Sequence, residues 1–106
     1  MIIPNTIEEI TEYTKSGNTV FFFTAGWCVD CNFIKPFMPE IVEEFSQFQF
    51  VEVDRDKFMD LAMDWMIMGI PSFVVYKDGK EVDRYVNKDR KIKEQVTNFL
   101  NQAMQK

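Results

Sequence analysis

FFFTAGWCVDC, residues 21–31, decides the fold, because it joins an apolar strand to the start of a helix across the chain's two cysteines. TVFFFTA, residues 19–25, is apolar for the length of a strand, the pattern of a strand covered on both faces of a sheet. Beyond the cysteines, Ile34, Phe37, Met38, Ile41, Val42 and Phe45 recur at helical spacing, with Glu40, Glu43 and Glu44 on the other face. Pro36 removes a backbone donor and is expected to kink this helix. Pro39 is tolerated if the helix restarts at the kink, where first-turn N–H groups lack partners anyway.

Working outward, Ile3, Ile7, Ile10 and Thr14 predict a first helix, capped by Asn5 or Thr6 and ended near Ser16-Gly17. FQFVEVD, residues 48–54, alternates as a strand does, and residues 58–66 form a plausible short helix. SFVVY and EVDRYV flank Lys77-Asp78-Gly79-Lys80, a hairpin signal, and a last helix is expected from about Lys88 to Met104. Met1 to Ile3 are a candidate for a frayed extra strand. The order α-β-α-β-α-β-β-α over residues 1–106 calls for a single α/β domain, one sheet with helices on both faces.

A chain of 106 residues with 46% hydrophobic content and 11 Phe buries roughly two thirds of its unfolded surface, so it needs no covalent staple. The cysteines are therefore free for chemistry. MIIPNTIEEI carries no basic leader with a long apolar segment, and no run approaches the ~18 apolar residues of a membrane span, so a cytoplasmic location is expected. In that reducing compartment a Cys-x-x-Cys pair is more often catalytic or metal-binding than structural. A net charge of -5 argues against nucleic acid or an anionic membrane as partner. Residues 1–64 hold 12 acids against 4 bases, and residues 65–106 hold 5 against 8, an asymmetry that either orients a charged partner or is a solvated surface. Nothing calls for more than a monomer.

Three apart at a helix start, Cys28 and Cys31 lie on one face of the first turn, within reach of a small disulfide loop. Unpaired N–H groups and the partial positive charge of the helix end favour a Cys28 thiolate, which makes Cys28 the expected nucleophile. It would attack a substrate disulfide, and Cys31 would resolve the mixed disulfide. Trp27 supplies an apolar lip. Zinc needs about four ligands, whereas the chain has no His and no second Cys pair, so no metal is expected, and the Cys28-Cys31 disulfide is the redox-active group.

These residues resemble the thioredoxin family over nearly the whole chain. FFFTAGWCVDC is similar to the family's strand, Trp and active-site pair, Pro36 to its helix-kinking Pro, GIPS (residues 69–72) to its Gly-Ile-Pro-Thr segment, and YKDGKEV to its terminal hairpin. The resemblance implies the thioredoxin fold, an α/β domain around a mixed four- to five-stranded sheet. It implies a protein thiol-disulfide oxidoreductase that reduces disulfide-containing protein substrates and is recycled by an NADPH-dependent, flavin-containing thioredoxin reductase. It also implies a cis Ile70-Pro71 peptide facing the cysteines, with the Ile70 backbone pairing to an extended substrate segment. An X-Pro bond makes cis inexpensive, and a Pro in trans that simply starts a strand stands as the alternative. Trp27, Val29, Met68, Ile70 and Pro71 are the substrate-contacting candidates.

The departures from the pattern matter as much. Thioredoxins usually carry a buried Asp six residues before the first cysteine and a Lys on the neighbouring strand; here Phe22 and Phe50 stand there. Losing both members leaves no uncompensated buried charge, though the usual proton relay goes with them. Val29-Asp30 replaces the usual Gly-Pro between the cysteines. A carboxylate about 6 Å from a thiolate opposes its ionisation by roughly one pKa unit, which predicts a Cys28 pKa at or above the ~7 of ordinary thioredoxin and a pair at least as reducing as about −270 mV. Asp30 has other readings, as proton acceptor for Cys31, as an ordinary first-turn acid, or as a rim charge that selects partners by repelling acidic ones. Met63, Met66 and Met68 read as core or as an adaptable substrate grip, Met68 being the nearest to the Pro loop. Asn87 replaces a Gly common beside the family's groove. A specialised protein serving one dedicated recipient, or a redox-inert module binding extended segments, are the competing functions.

Overall fold

The computed structural model describes residues 1–106 and contains five helices and four strands. Helix α1 (Ile7–Lys15) starts where the Thr6 side chain accepts the Glu9 N–H at 3.2 Å, and ends before Gly17 at φ +76°. Strand β1 (Asn18–Thr24) follows, then α2 (Val29–Ile34), a 3-10 turn over Lys35–Phe37, and α3 (Met38–Glu44). The expected kink is thus a full break: Pro36 sits in the 3-10 turn, and Pro39 falls in the first turn of the restarted helix. Strand β2 (Gln49–Asp54), α4 (Met59–Asp64), β3 (Ser72–Lys77), β4 (Lys80–Tyr85) and α5 (Lys93–Met104) complete the chain.

The strands lie in the order β2-β1-β3-β4, with β1 parallel to β2 and antiparallel to β3, and β3 antiparallel to β4. Strand β1 is therefore paired along both edges, and it is covered on both faces as its unbroken apolar run requires. Phe21 and Phe23 join Ile10, Val51, Leu61 and Val74 on one side, while Val20 and Phe22 join Ile34, Met38, Phe73 and Leu100 on the other. Phe21, Phe22, Phe23 and Phe73 are fully buried, each contributing roughly 1.5–3 kcal/mol relative to an exposed ring. Asp78 and Gly79, at φ +47° and +91°, make the β3–β4 turn.

One expectation is met in reduced form and one needs correction. The N-terminal strand is a single parallel bridge from Ile2 to Val51, with Ile2 N–H donating to Phe50 O and Glu52 N–H to Ile2 O. The last helix begins at Lys93, five residues after the expected start, beyond the NKDRK stretch of residues 87–91. That stretch is a loop wrapped around its own lysine. Lys91 is fully buried, and its ammonium donates to Asn87 O at 3.1 Å, Asn87 Oδ1 at 2.7 Å and Asp89 O at 2.7 Å. The helix starts only where Gln95 Oε1 accepts the Ile92 N–H.

Candidate active site

The segment after β1 places both cysteines at the C-terminal end of the central strand. Cys28 is the N-cap of α2, with extended φ −80° and ψ 111°, and its Sγ accepts the Cys31 N–H at 3.1 Å. That N–H is one of the donors a helix start leaves without a partner, so the cap satisfies it. The two cysteines are joined as a disulfide with Cα atoms 5.2 Å apart. Cys28 retains 6% exposure and Cys31 none, so only the first sulfur is open to an incoming group. The Ile70-Pro71 peptide is cis, and the Ile70 carbonyl oxygen lies 3.9 Å from Cys28 Sγ.

An open cleft of about 450 Å³ lies here, lined by Trp27, Cys28, Val29 and Asp30 from the strand–helix junction, by Gly69 and Ile70, and by two cations, Arg55 and Lys88. Of the sequence candidates, Trp27, Val29, Asp30 and Ile70 are thus assembled around Cys28. Pro71 is buried and does not line the cleft, and Met68 stands outside its lining with 82% of its surface exposed. Met63 and Met66, candidates for the core, are exposed as well. The reason is the end of α4: Met66 N–H donates to Met63 O, Ile67 N–H donates to Ala62 O, and Met66 takes φ +57°. This left-handed terminus turns Ile67 inward and leaves the Met66 side chain in solvent.

The electrostatics differ from the sequence expectation through residues the motif did not contain. Asp30 does not face the cysteines unopposed: Arg90 Nε donates to its Oδ1 at 2.9 Å, and the same guanidinium sits 4.3 Å from the Phe33 ring centroid. Trp27 Nε1 donates to Asp56 Oδ2 at 2.6 Å, with the Arg55 guanidinium 5.3 Å from the Trp27 ring centroid. Lys91, in the loop that carries Lys88, has its ammonium pKa pulled down to about 8 by burial, against Asp89 and Asp30, which favour its charged form. Where the usual buried acid would stand, Phe22 stacks on Phe73 at 5.1 Å, and Phe50 meets Phe48 edge-on.

Arg55, Lys88, Arg90 and Lys91 were missed because no spacing rule joins them to Cys28. Gly69 carried a signal: it is where the cis-proline loop touches the 87–91 loop, and a Cβ there would lie 2.5 Å from Lys88 N. Ser72 Oγ donates to Gly69 O at 2.6 Å and holds the same junction. No group of three or more His, Cys, Asp or Glu side chains is placed to hold a metal, and no helix is long and apolar enough to cross a membrane.

A dithiol-disulfide pair at a strand–helix junction, opposed by a cis-proline loop on a mixed four-stranded sheet, defines a thiol-disulfide oxidoreductase of the thioredoxin fold. The chain matches the thioredoxin family model over residues 5–102 and belongs to the thioredoxin family. It is 40% identical over 85 residues to thioredoxin H-type 1 of Nicotiana tabacum, covering 76% of this chain and 68% of that one. It is 34% identical over 91 residues to thioredoxin H1 of Arabidopsis thaliana, covering 81% and 80% respectively. Among solved structures, thioredoxin from Trypanosoma brucei brucei superposes with a TM-score of 0.87 at 21% identity, covering 100% of this chain and 92% of that one, which speaks to the fold.

Proposed function

We propose that the chain reduces protein disulfides, with Cys28 as nucleophile and Cys31 as resolving thiol. The observation that carries this reading is the asymmetry of the pair: Cys28 opens onto the cleft and caps a helix, while Cys31 is sealed behind it. In the reduced protein the Cys31 N–H is positioned to stabilise a Cys28 thiolate. The thiolate attacks one sulfur of the substrate disulfide, and the other leaves as a thiolate that takes up a proton. Cys31 then loses its proton and attacks Cys28 Sγ, releasing the second substrate thiol. One substrate disulfide becomes two thiols, and the protein dithiol becomes the Cys28-Cys31 disulfide.

Trp27, Val29 and Ile70 contact the substrate in this reading, with the Ile70 backbone available to an extended segment; Met68 offers an adaptable apolar side chain and Pro71 shapes the loop. The pairing of Asp30 with Arg90 favours a charge-tuning role for Asp30 over that of proton acceptor. The chain itself binds no cofactor and works as a monomer in the cytoplasm, in electron transfer and cell redox homeostasis, with electrons from an NADPH-dependent thioredoxin reductase. A recipient more restricted than that of a general reductant is favoured by the apolar Phe22 position and by the charged cleft wall.

The test is a redox titration together with a trap. Equilibrated with graded dithiol buffers, the pair is expected to be half oxidised at or below about −250 mV, the range of a cytosolic reductant. A Cys31→Ser variant is expected to accumulate a mixed disulfide through Cys28 with a disulfide-bonded protein. A midpoint above about −200 mV, or trapping that survives Cys28→Ser, would overturn the assignment.

A further inference from the structure

The charges around Cys28 fall into two groups by their partners. Asp30 is matched by Arg90 at 2.9 Å, and Asp56 by Arg55 at 3.3 Å, with Asp56 also accepting Trp27 Nε1–H. These two carboxylates are therefore committed, together with two of the guanidinium groups, and Asp89, next to Lys88 in the chain, does not line the cleft. Lys88 is exposed and lines the cleft. Unlike Arg90, Lys91 and Lys93 beside it, it carries no carboxylate or carbonyl on its ammonium. Of the two cations that line the cleft, Arg55 is paired and Lys88 is not, in a chain whose net charge is -5.

This cation is held on a fixed base. Its backbone N lies against Gly69, so closely that a Cβ on Gly69 would come within 2.5 Å. Gly69 O is held by Ser72 Oγ, and the loop on the other side of Lys88 is gathered onto the buried Lys91 ammonium through Asn87 and Asp89. The Lys88 main chain is thereby fixed beside the loop that carries Ile70. Its side chain remains free to move toward whatever occupies the cleft. A cation whose backbone is already ordered loses less entropy on pairing than one on a mobile loop.

We infer that the recipient presents an acidic side chain beside the cysteine that Cys28 attacks, and that Lys88 reads it. This deepens the proposed function and rests on it: an extended segment reacting with Cys28 and lying along Ile70 passes the Lys88 ammonium. At about 3.3 Å per residue, an Asp or Glu within roughly two positions of the attacked cysteine comes within reach of it. A basic side chain there meets Lys88 with like charge. Asp30 adds little repulsion of its own, because Arg90 already neutralises it.

Three short peptides, each closed by one internal disulfide and differing only in Glu, Gln or Lys on both sides of the first cysteine, test this. Reduced wild-type protein is mixed with each in single turnover, and second-order rate constants are read from peptide thiol appearance at low and high salt. The Glu peptide is expected to outrun the Lys peptide about fivefold or more at low salt, converging at 0.5 M salt as screening shortens the range of the charge. In Lys88→Glu the order is expected to reverse. The decisive quantity is the change in the Glu-to-Lys ratio between the two proteins, since the peptides' intrinsic reactivities cancel in it. A ratio unchanged by Lys88→Glu overturns the inference while leaving the reductase reading intact, provided the Gln peptide is reduced. A wild-type protein inert toward all three overturns that reading and the inference with it.

Discussion

Arg90 and Asp30, sixty residues apart in sequence, meet at 2.9 Å beside the disulfide, with the Arg90 guanidinium also packed on Phe33. The pair joins the loop before α5 to the first turn of α2. It offsets the expected consequence of placing an acid between two cysteines. Alone, the carboxylate opposes a Cys28 thiolate; paired, its field at Cys28 is largely cancelled.

Arg90→Gln is accordingly expected to raise the Cys28 pKa of the reduced protein by about one unit, because Asp30 is left uncompensated. Asp30→Asn is expected to lower it, since Arg90 then acts alone, and the double variant to return close to wild type. The pH dependence of Cys28 alkylation measures all four proteins. An Arg90→Gln profile that overlays wild type would mean the pair is electrostatically silent at the sulfur.

Gly69→Ala places a methyl group 2.5 Å from Lys88 N and 2.6 Å from the Asn87 carbonyl carbon, both main-chain atoms that no rotamer change can move. The two loops must separate, which loosens the Ile70 side of the cleft and the base of Lys88 together. The expected cost is about 1–3 kcal/mol in urea unfolding of the oxidised protein, with disulfide reduction slowed at least tenfold. Wild-type stability and rate in this variant would mean that the close approach is not needed.

How much of this was legible follows from the range of each signal. TVFFFTA named the central strand because burial on both faces leaves an unbroken apolar run, and Cys28, Cys31, Ile70 and Pro71 stood in local patterns. Arg90 was invisible because its partner lies across the fold. The helical spacing of Ile92, Val96, Phe99, Leu100 and Ala103 marks the last helix but not its first residue, and nothing local announces that the Lys91 amine is buried among carbonyls of the loop before it. Met63 lies within α4 on the side away from buried Leu61 and Ala62, and Met66 is left in solvent by the left-handed turn that ends the helix, neither of which apolar character alone announces.

That turn yields its own test. Met66 occupies, with a φ of +57° and an exposed side chain, the position where helix ends usually place glycine. Met66→Gly removes the left-handed penalty of about 1–2 kcal/mol and regains part of it as unfolded-state entropy. A net stabilisation of about 0.5 kcal/mol is expected from the urea midpoint. Destabilisation would mean that the thioether makes contacts worth more than the backbone strain.

Lys91 links stability to pH with a definite sign. Burial lowers its ammonium from 10.5 to about 8, so the folded state gives up this proton more readily than the unfolded chain does. Below about pH 8 both states are charged, and the folded protein bears the cost of the desolvated ammonium. Between about 8 and 10.5 the unfolded state binds more protons, so stability rises with pH. Tyr76, whose pKa is raised chiefly by burial, opposes this only above its unfolded value of 10.0, which leaves the region below that clear. In the disulfide form the cysteines do not titrate. Oxidised wild-type protein is therefore expected to gain about 1–3 kcal/mol across the Lys91 window after allowance for solvent screening. Lys91→Met, which keeps the buried stem and loses the charge, is expected to flatten that rise, although at neutral pH it forfeits the three hydrogen bonds that shape the loop. Urea unfolding at half-unit steps from pH 7.5 to 9.5 decides it: a flat wild-type curve, or an equal slope in Lys91→Met, would remove Lys91 as the source.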